Sequence, residues 1–559
     1  MNPANPCIVQ SDRTVLVEVN NPRYAEARDQ LALFAELEKS PEHIHTYRIT
    51  PLSIWNAAAA GMPAERMIDV LRTYSKFPVP ETLCHEILEL ASRYGRLVLE
   101  RQDVALVLRV QDDILARQLA HHGKLRGLLG APCGPRAFHV ELRHRGEIKR
   151  ALTQLGFPVK DLAGYTAGAP HPIALRTTTA SGQPFALRPY QRDAVDNFYQ
   201  GGGVEGGCGV VVLPCGAGKT IVGMAVMARL QVQTLIVTAN ITALRQWRDE
   251  LLDKTTLQPA DIGEYSGEQK TIAPITLATY QILTYRPDKS KDYFPHYDLF
   301  YQRDWGLIIY DEVHLLPAPV FRITADLQSR RRLGLTATLV REDGREVDVF
   351  SLVGPKRYDM PWKELEARQW LAVALCTELR VPLDERDELE YAVAGDRQRF
   401  RIASENPRKL AVVRGLLTRH AGGRVLIIGQ YLAQLRHLAR ELRAPLITGQ
   451  TPQSERERLY AQFRSGNLPV LIVSKVGNFA IDLPDANVAI QVSGTFGSRQ
   501  EEAQRLGRIL RPKPGDNHAY FYTIVSHNTC EQEFALKRQL FLTEQGYRYA
   551  IEDVEIPPT

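Results

Sequence analysis

Eight short apolar runs recur between residues 210 and 493, each rich in β-branched residues and each set between helical stretches. They are VVVL (210–213), TLIVTA (234–239), ITLAT (275–279), GLIIY (306–310), RLGLT (332–336), VLIIG (425–429), VLIVS (470–474) and NVAIQVS (487–493). Continuous apolar strands alternating with helices define a parallel sheet covered on both faces. Eight such strands are too many for one small domain. The pattern predicts an α/β chain with two successive parallel-sheet domains, divided near Gly354-Pro355. The remaining length, 559 residues in all, leaves room for further modules ahead of residue 181.

Composition adds exclusions. With 44% hydrophobic and 24% charged residues the chain is ordinary globular protein, not collagen-like, low-complexity or disordered. No apolar run reaches the roughly 18–20 residues of a membrane helix. The first residues lack the basic-then-apolar pattern of a secretory signal, so a cytoplasmic protein with no membrane partner is expected. The seven cysteines contain no C-x-x-C pair, so neither zinc nor an iron–sulfur cluster is indicated.

The formal charge of +5 hides an uneven distribution. Residues 1–100 sum to −3 and residues 101–180 to +6, leaving +2 for the rest. In the second stretch the basic residues gather at Lys124-Leu-Arg126 and from Arg143 to Arg150. On charge alone a solvated face is the simpler reading, and a surface for a polyanion the sharper one. Residues 50–95 show helical apolar spacing with a Gly-Met-Pro break, which fits a winged-helix-like module or a small helical packing domain.

The strongest local motif is LPCGAGKT, Leu213 to Thr220, between a strand and a helix. In that context glycines let backbone N–H groups curl around phosphates, and the helix start adds positive dipole character. Gly216, Ala217 and Gly218 form the loop, Lys219 reaches the β/γ-phosphates, and the Thr220 hydroxyl suits Mg²⁺. The strict pattern begins with Gly, where this chain has Leu213. Asp311-Glu312-Val313-His314 follows the strand GLIIY, 92 residues after Lys219. A carboxylate there holds Mg²⁺ through water and its neighbour activates the attacking water. His314 is placed to couple the nucleotide site to nearby loops. Leu187-Arg188-Pro189-Tyr190-Gln191 precedes the loop, and a Gln amide matches both N6 and N7 of adenine, so Arg188 and Gln191 are candidate ATP-binding residues. In the second α/β unit Gln504, Arg508 and Arg511 share one helix face at i, i+4 and i+7. Arginines so placed suit a γ-phosphate and its transition state, and a basic surface helix is the plainer alternative.

These motifs, with Thr336-Ala-Thr338, occur in the order of a superfamily 2 helicase. LGLTATLVRED (333–343), SKVGNFAIDLP (474–484) and SGTFGSRQEEAQRLGRILRPK (493–513) strongly resemble the XPB family, most closely its shorter bacterial and archaeal forms. The likeness covers about residues 5–548. It implies two tandem RecA-like domains behind N-terminal α+β modules. Their expected ranges are 1–100, a helical or winged-helix-like module; 101–180, a basic damage-recognition-like domain; 181–355, helicase domain 1; and 356–559, helicase domain 2 with a thumb-like insertion at about 380–409. It implies an ATP- and Mg²⁺-dependent 3′→5′ DNA helicase of nucleotide excision repair. The resemblance also turns the basic module from a solvated face into a DNA contact. Arg341, Glu342 and Asp343 match a motif implicated in strand separation, although a solvated turn before Gly344 has the same composition. The thumb carries Arg397 and Arg401, yet residues 380–409 hold seven basic and seven acidic residues, as a charged hairpin would.

The mechanism that follows has two domains closing on ATP. DNA phosphates are gripped by the loops VTAN (237–240), LATYQ (277–281, with Thr279) and GQY (429–431) and by Ser474-Lys475. Thr336 and Thr338 link nucleotide to DNA. The long charged extensions of eukaryotic members are absent, which weakens membership of a large transcription–repair complex and leaves a repair nuclease as the partner that archaeal relatives imply. Two alternatives stay open: another superfamily 2 motor, either an RNA helicase or a double-stranded DNA translocase, and an ATP-switched DNA-binding scaffold.

Overall fold

A computed structural model describes residues 2–39, 43–102, 105–288, 294–327, 330–337, 346–360, 362–474, 486–494, 509–510, 517–544, 547 and 549–555. The chain divides into two compact units, one mainly residues before 360 and the other mainly residues after 361.

In the first unit, strand Cys208–Val212 sits inside a seven-stranded sheet. The order is Ile262–Tyr265, Ile275–Thr279, Thr234–Thr238, Leu307–Asp311, Arg331–Thr336, Cys208–Val212, Lys356–Asp359, and each neighbouring pair is parallel. Leu235, Val237, Ile308 and Tyr310 are fully buried in one core with Trp305 and Leu299. Burial of this kind on both faces is what continuous apolar runs require. The expected division after Pro355 falls just ahead of strand Lys356–Asp359, which pairs with Val210–Val212. The first sheet therefore extends past it.

The second unit repeats the architecture. Its seven strands run Leu446–Ile447, Val470–Ser474, Val425–Gly429, Val488–Gln491, His518–Ser526, Val373–Val381, Tyr549–Asp553, again in parallel. All eight apolar runs of the sequence lie on strands of these two sheets.

Ahead of the first sheet, helices Pro51–Ala59, Ala64–Tyr74 and Glu81–Arg93 form the expected helical run. Thr50 caps the first through a reciprocal pair with Ser53. Strands precede them, Cys7–Val9 pairing antiparallel with Thr14–Glu18. The next module is a five-stranded sheet with helices Asp113–His121 and Arg145–Gln154. Its strand Leu97–Gln102 begins before the expected boundary at 100.

The basic cluster of that module is not one open face. Arg145 and Lys149, 2% and 6% exposed, both turn inward onto Asp161 at 2.9 Å. The two cations hold the Asp161 carboxyl well below the usual range despite its burial. Arg150 leaves the module to pair with Asp348 of helix Glu346–Leu352 at 2.9 Å. Three of the counted charges thus stabilise the fold and an intramolecular seam, while Lys124 and Arg126 remain exposed.

Candidate functional site: the nucleotide-binding edge of the first sheet

The phosphate loop leaves the carboxyl end of Cys208–Val212. The Leu213 N–H donates to the Thr336 carbonyl at 2.9 Å, tying the loop entry to the end of the neighbouring strand. Gly216 and Gly218 each have φ near +83°, where a side chain is strained. An added Cβ at Gly218 would also lie 2.7 Å from Gln191 Nε2. Helix Lys219–Leu230 starts directly behind this turn, so Lys219 and Thr220 occupy its first turn, where backbone N–H groups face an anion.

Gln191 is buried on helix Pro189–Tyr199. Its Oε1 accepts from the Arg188 N–H at 2.9 Å, and Arg188 Nη1 donates to the Tyr190 hydroxyl at 3.3 Å. The amide nitrogen lies beside Gly218. The structure brings Gln191 to the loop.

Strand Leu307–Asp311 ends on the same edge of the sheet. Glu312 then turns sharply, with φ 50° and ψ 56°, a conformation that non-glycine residues rarely hold. This turn aims Glu312 Oε1 at Lys219 Nζ, 3.4 Å away, and Oε2 at His314 Nδ1, also 3.4 Å away. Among the described residues Oε2 accepts no hydrogen bond. His314 is buried with Nδ1 2.7 Å from Thr336 Oγ1. Glu312, His314 and Thr336 therefore form a chain from the nucleotide site to the end of strand Arg331–Thr336.

The two acidic neighbours are driven apart in acidity. Burial, and then the charge of Glu312, push Asp311 up to about 6. Burial also pushes Glu312 up, but Lys219 and His314 outweigh it and hold the carboxyl below its ordinary value. The shifts separate the two carboxyls: Glu312 is the more acidic, and Asp311 the more readily protonated. Asp311 Oδ1 accepts from the Glu312 N–H at 3.1 Å and Oδ2 from Trp247 Nε1 at 3.0 Å.

Mg²⁺ fits this donor set. It takes hard oxygen ligands and keeps several waters beside substrate phosphates, which suits one hydroxyl and one carboxylate. No cluster of three or more acidic, His or Cys residues that would form an all-protein cage occurs among the described residues.

The candidate DNA contacts divide. Thr279 is 3% exposed and its Oγ1 accepts from the Ile282 N–H, capping the short helix Tyr280–Leu283. Its hydroxyl is buried in that cap, and Gln281 is the exposed residue of that loop. The thumb-like insertion is a hairpin of helices Glu385–Val393 and Asp396–Glu405. Arg399 closes it by donating to the Tyr391 and Ala392 carbonyls at 3.1 and 2.8 Å. Arg397 is exposed, and Arg401 is exposed but paired with Glu405 at 2.9 Å. Thr338, Arg341, Glu342, Asp343, Lys475, Gln504, Arg508 and Arg511 lie outside the described residues. The sequence reading did not single out Trp247 or Tyr280, both of which touch Asp311.

A seven-stranded parallel sheet carrying a phosphate loop, an acidic pair at a strand end and a buried Gln beside the loop has the form of a nucleotide-hydrolysing motor domain. A second parallel sheet downstream gives the two-domain plan of superfamily 2 helicases. Comparison with known proteins narrows the class. Residues 365–555 match the family model of the ERCC3/RAD25/XPB C-terminal helicase, residues 184–341 that of the type III restriction enzyme res subunit, and residues 7–132 a helicase conserved C-terminal domain. The DNA 3′-5′ helicase XPB of Kineococcus radiotolerans is 54% identical over 98% of this chain and 97% of its own. The protein of that name from Mycobacterium tuberculosis is 52% identical over 98% of both chains. The general transcription and DNA repair factor IIH helicase/translocase subunit XPB/SSL2 of Saccharomyces cerevisiae is 30% identical over 97% of this chain and 71% of its own. The chain belongs to the XPB family of helicases. No helix among the described residues is long and apolar enough to cross a membrane.

Proposed function

We propose that this chain is an ATP·Mg²⁺-driven 3′→5′ DNA helicase or translocase that opens duplex DNA in nucleotide excision repair. The observation that carries the reading is the convergence of Lys219, Glu312, His314 and Thr336 at the phosphate loop, with Glu312 held 3.4 Å from Lys219 in a left-handed turn. A scaffold that only binds ATP has no need of an ionised carboxylate beside the phosphate lysine.

Lys219 binds the β/γ-phosphates. Glu312, ionised at neutral pH, orients the attacking water and takes its proton. Mg²⁺, held by Thr220 and Asp311, would neutralise charge on the phosphates during transfer. Gln191 selects adenine from beside Gly218. Arg508 and Arg511, with Gln504, supply the second domain's cations to the transferred phosphoryl group. His314 and Thr336, 2.7 Å apart, pass the state of the site to the strand end that leads into Thr338 and the Arg341-Glu342-Asp343 strand-separating loop. The grip on DNA is mainly to phosphates, so binding is sequence-independent and weakens with salt. Arg397, Arg401 and Lys475 contribute to it. A repair nuclease as partner and association with the nucleoid rest on the family resemblance alone.

The test is strand displacement on a partial duplex with a 3′ or a 5′ single-stranded tail, beside ATPase measured with DNA or RNA. Opening of the 3′-tailed substrate and stimulation by DNA are expected. Preference for RNA, or ATP turnover without displacement on any substrate, would overturn the proposal.

A further inference from the structure

Asp311 is held from two helices that no part of the phosphate-loop chemistry explains. Trp247, 1% exposed, lies on helix Ile241–Lys254 and donates from Nε1 to Asp311 Oδ2 at 3.0 Å. Tyr280, 4% exposed, opens helix Tyr280–Leu283 and donates from its hydroxyl to the Asp311 carbonyl at 3.0 Å. One bond fixes the carboxylate and the other fixes the backbone that carries it.

Room for the indole is built into the neighbouring helix Lys219–Leu230. An added Cβ at Gly223, on the phosphate-loop helix, would lie 2.5 Å from Trp247 Cη2. The outer edge of the Trp ring therefore abuts the helix that bears Lys219 and Thr220, while its N–H donates to Asp311. Such packing leaves the donor little freedom to swing away.

Both tethers begin at the strand-end loops 237–240 and 277–281, where Ala239 and Asn240 are half-buried and Gln281 is exposed. Asn240, last residue of VTAN, caps the Trp247 helix by accepting from the Ala243 N–H at 2.9 Å. Thr279, inside LATYQ, caps the Tyr280 helix. Movement of either loop thus moves a helix whose side chain ends on Asp311. We infer that Trp247 and Tyr280 are positioning residues that hold Asp311 from the two candidate DNA-contact loops, so that a strand gripped at 237–240 and 277–281 sets the ATP-hydrolysing geometry. This inference rests on the DNA-motor reading above.

The experiment uses the full chain with Tyr280→Phe, which keeps the ring and removes only the hydroxyl, and Trp247→Phe, which removes the N–H together with part of the indole's packing volume. Three quantities are read: the ratio of ATPase rates with and without single-stranded DNA, the melting temperature, and Mn²⁺·ADP binding by electron paramagnetic resonance, which needs no turnover. Trp247→Phe is expected to weaken Mn²⁺·ADP binding at least five-fold and to reduce the DNA stimulation ratio at least five-fold. Tyr280→Phe is expected to reduce the ratio similarly, with Mn²⁺·ADP binding within two-fold of the unaltered protein. Should Trp247→Phe not fold, Tyr280→Phe still decides the matter. A folded Tyr280→Phe with an unchanged stimulation ratio, or a folded Trp247→Phe with unchanged Mn²⁺·ADP binding, overturns the inference while leaving the motor reading intact. Absence of DNA stimulation in the unaltered protein overturns both.

Discussion

Two lysine–glutamate pairs, one in each sheet domain, show what separates a working site from a structural one. In the second domain Lys409 and Glu531 are each 1% exposed in their side chains, at 2.8 and 3.0 Å. Glu531 also accepts from the Ser526 N–H and the Ser404 hydroxyl, and Lys409 donates to the Val492 carbonyl. Every oxygen of that carboxylate has a partner. In the first domain Lys219 and Glu312 stand 3.4 Å apart, 12% and 19% exposed, on a strained turn, with one carboxylate oxygen accepting nothing among the described residues. The closed pair anchors the base of the thumb-like hairpin, where Ser404 and Lys409 flank its end. The looser pair sits at the phosphate loop, 3.4 Å apart on a left-handed turn.

That contrast can be broken by exchanging what each lysine is asked to do. Lys219→Ala is expected to lower DNA-stimulated ATPase about 10³-fold or more with a melting temperature close to the parent's, measured by steady-state turnover and calorimetry. Lys409→Met is expected to do the reverse in kind. It strands a buried carboxylate and destabilises the second domain by about 3–5 kcal/mol, read by denaturant unfolding. Loss of stability in the first variant with retained ATPase would erase the distinction.

Asp311 sharpens it further. Its pKa is raised to about 6 from an ordinary value of 3.8. A group whose folded pKa is raised contributes stability below its unfolded value and loses it as pH rises through the folded one. At pH 8 without metal, ionised Asp311 therefore costs stability. Asp311→Asn is expected to raise the melting temperature of the nucleotide-free protein by roughly 2–4 °C while removing ATPase. The same shift predicts that ATPase at limiting Mg²⁺ falls as pH drops through about 6, because protonation competes with the cation. A melting temperature that falls in Asp311→Asn at pH 8 would place that carboxylate with Glu531 rather than with Glu312.

At Gly223 the expected effect is on stability alone. Ala there presses on the Trp247 ring and costs about 1–3 kcal/mol, seen as a lower unfolding midpoint.

The parts of this picture legible in the sequence are those carried by local pattern. Both parallel sheets announce themselves in apolar runs, and Lys219, Thr220, Asp311 and Glu312 in short motifs between a strand and a helix. Strands such as Ile262–Tyr265 and Val373–Val381 do not, since Glu264, Glu378 and Arg380 interrupt their apolar character. Glu378 is buried there because Arg380 and Gln539 bond to its two oxygens, and Gln539 is 161 residues away. The basic cluster at 143–150 misleads because a net count does not show pairing: Asp161, 16 and 12 residues on, draws Arg145 and Lys149 inward. Trp247 and Tyr280 carry no motif of their own. A tryptophan on an amphipathic helix reads as core, and only the fold brings its N–H to a carboxylate 64 residues on.

The most direct test of the motor reading is opening of a forked duplex with a 3′ tail by the intact chain and by Glu312→Gln. The parent is expected to separate the strands only with ATP and Mg²⁺, and the variant to bind the same fork with comparable affinity and separate none. Strand separation by Glu312→Gln, or by the parent without ATP, would contradict the account.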